Sequence, residues 1–180
     1  SSRTVRNNTM NLAYYGAGPN TNELYLAAEG YPAVCVGAGP SLAKNIDLLT
    51  NPDIRKNVIV ISAQTTLKPL LARGVRPDFV TALDYHAISS RFYEGIGNVD
   101  DITLVAEAKA NASILDSFPG PVRVTQSNYM DRMLGEDARP ITPVKAGATV
   151  AHLSVYLAQY LGCDPIMLIG QDLGFVQDSS

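Results

Sequence analysis

The chain is 180 residues long, 46% hydrophobic and 17% charged, with fourteen Lys+Arg against seventeen Asp+Glu and a net charge of −3. That length predicts one domain burying about two thirds of its unfolded surface, enough for a core without a disulfide or metal staple. The acidic balance argues against nucleic acid, whose binders carry a basic surplus to displace counterions, and against a membrane surface, which calls for a basic amphipathic face. No apolar run approaches the roughly 20 residues of a membrane span and no signal segment opens the chain, so a soluble cytoplasmic protein is expected.

Residues 1–30 read as an N-terminal flank in which Asn22 caps a short helix, Glu23 to Glu29, closed by Gly30. Short apolar runs then recur at Val34 to Val36, Val58 to Ile61, Phe79 to Leu83, Ile102 to Val105, Val122 to Val124 and Ile166 to Ile169, with helical patterns between them. This is the rhythm of βαβ units, and near-continuous apolar runs suit parallel strands covered on both faces. Leu42, Ile46 and Leu49 predict one apolar helix face, and Leu67, Leu70 and Leu71 a second, ended by Gly74 and Pro77. Asp131 to Lys145, with Pro140 and Pro143, reads as a surface loop. The clearest helix runs from about Thr149 to Leu161, with Val150, Leu153, Leu157 and Leu161 on its apolar face and His152, Tyr156 and Gln159 on another. The expected architecture is α/β: a Rossmann-like three-layer sandwich over 31–180 with a mainly parallel sheet of about six strands. The start at Ser1 without Met and the stop at Ser180 soon after a strand read as a domain cut from something longer, shortened at its C-terminus.

Cys35 and Cys163 sit in or beside apolar runs with no C-x-x-C and no His at metal-ligand spacing, which predicts two buried thiols and no metal site. The sharpest local feature is Val34-Cys35-Val36-Gly37-Ala38-Gly39-Pro40-Ser41-Leu42, a buried strand breaking into a Gly-rich turn that opens a helix. Glycines let a ligand approach the main chain, and the N–H groups of a helix start attract phosphate. Pro40 suits the first helical position, Ser41 can bond in the first turn, and Asn45 lies one turn further on. The turn predicts a nucleotide phosphate or ribose site. It is not a dinucleotide fingerprint, because Leu42 stands where the third glycine would be and Ile61-Ser62-Ala63-Gln64 ends without an acid. A serine-hydrolase elbow at Ser41 lacks convincing acid and His partners beyond Asp84, His86 and His152. The near-repeat Gly16-Ala17-Gly18-Pro19 has only weak strand signal before it.

Parallel sheets bind ligands outside the carboxyl ends of their strands. Those ends carry Ser62, Ala63 and Gln64; Asp84, Tyr85 and His86; Glu107 and Lys109; Gln126 to Asn128; and Gly170-Gln171-Asp172. Gly147-Ala148-Thr149, at the start of the long helix, offers a second anion site.

Gly30 to Asn45, Gly74-Val75-Arg76-Pro77-Asp78-Phe79-Val80, Gly147-Ala148-Thr149-Val150-Ala151, and Leu161-Gly162-Cys163-Asp164-Pro165-Ile166 through Gly170-Gln171-Asp172-Leu173-Gly174-Phe175 together resemble the MptE-like superfamily. Within it, the chain is most similar to the bacterial motility accessory factors, called Maf proteins. The resemblance implies glycosylation of flagellin Ser/Thr with a nonulosonic acid, in a domain similar to sialyltransferases that use a CMP-activated sugar. It implies a CMP pocket at Gly37, Gly39, Ser41, Gln64, Asp84, Gly147, Thr149, Gly170 and Asp172, to which the turn and helix starts themselves add Ala38, Pro40, Asn45 and Ala148. Asp84, His86 and Asp172 are its candidate catalytic residues, and no metal is required.

The other branch, archaeal 6-hydroxymethylpterin diphosphokinase, moves diphosphate from ATP with Mg²⁺. Its D-x-D-G-type motif after the third strand is not matched by Leu83-Asp84-Tyr85-His86. In the sialyltransferases the base is a His downstream of the G-x-D strand, and here eight residues follow Asp172. The expectation is therefore a nucleotide-binding piece, active in the full-length protein, with His86 as the fallback base. A non-catalytic nucleotide-binding or scaffolding module that recruits flagellin or a flagellar chaperone is the alternative of a different class.

Overall fold

The computed structural model describes residues 21–83, 87–107, 110, 112–125 and 150–171. Among them are six strands: β1 (Ala33–Val36), β2 (Ile59–Ala63), β3 (Phe79–Ala82), β4 (Thr103–Glu107), β5 (Val122–Thr125) and β6 (Ile166–Ile169). Each lies within two residues of the run that predicts it, and every pairing is parallel. The sheet order is β5-β4-β3-β2-β1-β6. From β1 the chain steps outward strand by strand to β5, then returns to lay β6 on the opposite side of β1, which makes the β1/β6 junction the point where strand order reverses.

The pleat divides the strand residues between two apolar layers. Val34, Val36, Val60, Val80, Ala82, Leu104, Ala106 and Val124 face the helices that connect the strands, and Ile46, Leu49, Leu67, Leu70, Leu115 and Phe118 close over them. Ala33, Cys35, Ile61 and Val105 face the long helix through Leu157, Ala158 and Leu161. The three-layer sandwich expected from the repeating strands is thus built, with both thiols buried and free. Burial pushes the Cys35 thiol up from 9.0 to about 12, with the neighbouring Cys163 adding to the rise. The Cys163 thiol is pushed up to about 11, by burial and then by the Asp78 charge.

The helices among the described residues are α1 (Leu42–Asn45), α2 (Pro52–Arg55), α3 (Leu67–Ala72), α4 (Ala112–Ser117) and α5 (Val150–Tyr160), and the first is shorter than the apolar spacing suggests. The face of Leu42, Ile46 and Leu49 exists, but α1 is one turn long and continues as a 3₁₀ segment, Ile46–Thr50. Its end is fixed by Pro52, which holds Asn51 in an extended conformation (ψ 118°), while the Asn51 side chain accepts from Asp53 N to start α2.

The expected helix over Glu23 to Glu29 is replaced by a 3₁₀ turn at Thr21–Leu24 followed by a chain of turns. Three of its amides are spent elsewhere: Leu26 N, Ala28 N and Gly30 N donate to Tyr160 O, Leu161 O and Gly162 O. Leu26 takes a left-handed φ of 54°, which no α-helix tolerates. Residues 21–30 therefore pack against the α5-to-β6 connection, and Leu24 joins the core beneath α5. Among the described residues no helix is long and apolar enough to cross a membrane.

Candidate functional site

The β1 and β6 loops meet at the point of strand reversal, the place where open α/β sheets leave a crevice for ligands. Gly37 N donates to Ile169 O at 2.8 Å, and Gly39 N donates to Gly170 O at 2.7 Å, extending the β1–β6 ladder past both strand ends. The two glycines that interlock are Gly37 and Gly170. A Cβ on Gly37 would stand 2.5 Å from both Gly170 O and Gln171 Nε2, and one on Gly170 would strike Gly37 O. Gly170 also needs its freedom for a φ of +65°; Gly37 has ordinary φ and is required by space alone.

This close fit changes the chemistry expected of the turn. Two of its amides are already bonded to the β6 loop, and Leu42 N bonds to Gly39 O at 3.0 Å. Pro40 has no amide to offer and precedes the N-cap residue, Ser41, instead of opening the helix. Ser41 makes no side-chain cap bond. A single α-turn also has little macrodipole with which to attract an anion. The predicted phosphate cradle is therefore a tight inter-strand joint with few main-chain donors to spare.

The other expected residues separate into two groups. Asn45 is half-buried at the end of α1, and its side chain does not cap the 3₁₀ segment that follows. Gln64 stands at the carboxyl end of β2 but is only 3% exposed, and its Oε1 accepts from Tyr93 Oη at 2.9 Å. Burial pushes the Tyr93 hydroxyl well above the ordinary tyrosine range, so it stays a donor at any physiological pH. Ser62 is fully buried and shares its hydroxyl with Thr66 at 2.9 Å. Beyond them Glu107 and Thr125 end β4 and β5, paired in register and buried. Asp84, His86, Gly147, Ala148, Thr149 and Asp172 lie outside the described residues, as do Tyr85, Lys109, Gln126 to Asn128, the Asp131 to Lys145 stretch and the Gly16 near-repeat. His152 is exposed on α5, its ring 6.4 Å from that of Tyr156. Among the described residues no group of three His, Cys, Asp or Glu side chains could hold a metal ion.

The Gly74-Val75-Arg76-Pro77-Asp78 motif sits at the opposite end of the sheet. Arg76 forks onto Asp101, Nε to Oδ2 at 2.7 Å and Nη2 to Oδ1 at 2.6 Å, which holds the Asp101 carboxyl below its usual range. Asp78 accepts from Val60 N at 2.8 Å and pairs with Arg55 at 2.9 Å, while Arg55 also donates to Arg76 O. The motif staples the amino ends of β2 to β4.

A family model described as 6-hydroxymethylpterin diphosphokinase MptE-like matches residues 6–178. The chain belongs to the MptE-like family. Among solved structures, a Maf glycosyltransferase from Magnetospirillum magneticum AMB-1 superposes with a TM-score of 0.75 at 22% identity, over 98% of this chain and 29% of that one. The MptE-like chain thus shares the Maf fold and spans under a third of that neighbour's length. No curated protein matches it. Gln171, which strand-end reasoning named without assigning to the site, is packed against Gly37 at this junction; its signal was its place directly after a strand-ending glycine.

Proposed function

We propose that this MptE-like chain is the nucleotide-sugar-binding domain of a Maf-type glycosyltransferase, which transfers a nonulosonic sugar from CMP to flagellin Ser/Thr. The observation that carries the reading is the glycine-lined junction of β1 and β6 at the strand reversal, in a fold shared with a Maf glycosyltransferase. The sugar–phosphate bond of such a donor breaks through an oxocarbenium-like transition state. The site must then accept charge on the departing CMP and take a proton from the acceptor hydroxyl. Asp84, His86 and Asp172 are the groups proposed for that chemistry, with His86 as the fallback base.

The family model's description favours a second reading, transfer of diphosphate from ATP with Mg²⁺. Incubating the full-length protein with CMP-nonulosonate and flagellin separates the possibilities. Donor consumption with modified flagellin supports the first reading. Turnover of ATP with a hydroxymethylpterin supports the second, and nucleotide binding without turnover of either leaves a scaffolding module.

A further inference from the structure

Resting on that nucleotide reading, we infer that Gln171 positions the ligand by reading a sugar hydroxyl of the nucleoside, and that the β1/β6 joint binds this neutral part of the ligand while the phosphate is held elsewhere. The carboxamide is seated where Gly37 lacks a side chain: Nε2 and Cδ lie 2.5 and 2.7 Å from the position a Cβ would take, with Oε1 further off. That seat fixes the group at the strand reversal itself. Gln171 is half-buried, and among the described residues its carboxamide makes no hydrogen bond. A polar group packed in place and without a partner among the described residues can serve a ligand, because a ligand that covered it without bonding to it would lose affinity.

The ligand group follows from what surrounds it. Gly37 and Gly39 amides are committed to Ile169 O and Gly170 O, Pro40 has none, and α1 is a single turn. Among the described residues the polar side chains that the two loops carry here are Ser41 and Gln171, both neutral, and Leu42 packs beside Gly170. Such a surface suits hydroxyls, which donate and accept in turn, better than an anion, which needs several donors or a positive charge. The oxygen of the carboxamide plays the acceptor role that an acidic residue plays toward ribose in dinucleotide folds, without its charge.

Titration of the chain with cytidine and with CMP, followed by NMR to millimolar ligand, tests this on Gln171→Ala and Gln171→Glu. Melting temperatures of both variants establish that they are folded. Gln171→Ala weakens cytidine and CMP by the same factor, about three- to tenfold, leaving their ratio unchanged. Gln171→Glu keeps the acceptor oxygen and holds cytidine within about threefold of the parent. The inference is overturned if Gln171→Ala leaves cytidine unaffected, or if CMP binds the parent while cytidine is silent. If the parent binds neither, the nucleotide reading has failed instead, and this inference with it.

Discussion

Replacing Gly37 by Ala is the most direct probe of the β1/β6 joint. The added methyl would lie 2.5 Å from Gly170 O and from the Gln171 amide. The amide of a side chain can swing away, but a backbone carbonyl can move only if the β6 loop moves with it. Relieving such a contact costs about 1–3 kcal/mol. Parting the loops also stretches the bonds from Gly37 N to Ile169 O and from Gly39 N to Gly170 O, worth about 0.5–1.5 kcal/mol each. The total is about 2–6 kcal/mol, which lowers the melting temperature by roughly 4–24 °C for a domain of this size. Gly74→Ala is the control: Gly74 has φ +75° with nothing within 4 Å, so it costs only the left-handed strain of about 1–2 kcal/mol. Thermal unfolding followed by circular dichroism ranks the two. If Gly37→Ala melts within about 2 °C of the parent, or above Gly74→Ala, the interlock of Gly37 with Gly170 does not carry the energy assigned to it.

Three further outcomes follow from the same structure. Both thiols hold their protons more tightly folded than unfolded, so their contribution to stability is complete below about pH 8.5 and is lost as pH rises toward about 11 for Cys163 and about 12 for Cys35. Urea midpoints are therefore flat with respect to these groups from pH 7 to about 8.5 and fall above it, and a thiol reagent at pH 8 labels the chain only after denaturation. Asp78→Ala removes the acceptor of Val60 N and leaves Arg55 without its carboxylate, costing about 1–2 kcal/mol in urea unfolding while nucleotide affinity stays at the parental value; a change in affinity would contradict the placement of this motif at the far end of the sheet. Leu157→Ala opens a cavity between α5 and the sheet and costs about 2–5 kcal/mol; a loss under 1 kcal/mol would show that α5 is not packed as described.

The strands were legible because a residue buried on both faces leaves a run of Val, Ile, Leu and Ala that a helix cannot explain, and the family was legible because its motifs come in order. What local patterning cannot express is where β6 returns: nothing in Ile166 to Ile169 says that it pairs with β1 rather than β5, and it is that choice which creates the candidate site. The same non-local contact redirected the reading of the Gly-rich turn. Gly37-Ala38-Gly39 looks like a phosphate cradle until β6 is placed against it and Ile169 O and Gly170 O take the amides of Gly37 and Gly39. Gln64 stands at the strand end where spacing puts it, and no local signal marks that a buried tyrosine from the 3₁₀ segment Ala87–Tyr93 donates to its side chain. Arg76 and Asp78 drew attention as part of a shared motif, and they serve the amino end of the sheet, where their partners Asp101 and Arg55 are invisible to local spacing.

The nucleotide reading stands or falls on calorimetric titration of the chain with CMP, CDP, UDP, NAD and ATP plus Mg²⁺. Saturable binding of the cytidine nucleotides, weakened in Gly37→Ala and absent for NAD, is the predicted result. Preference for ATP with Mg²⁺ would contradict the CMP-sugar reading in favour of diphosphate transfer, and silence from all five would remove nucleotide binding from the β1/β6 junction altogether.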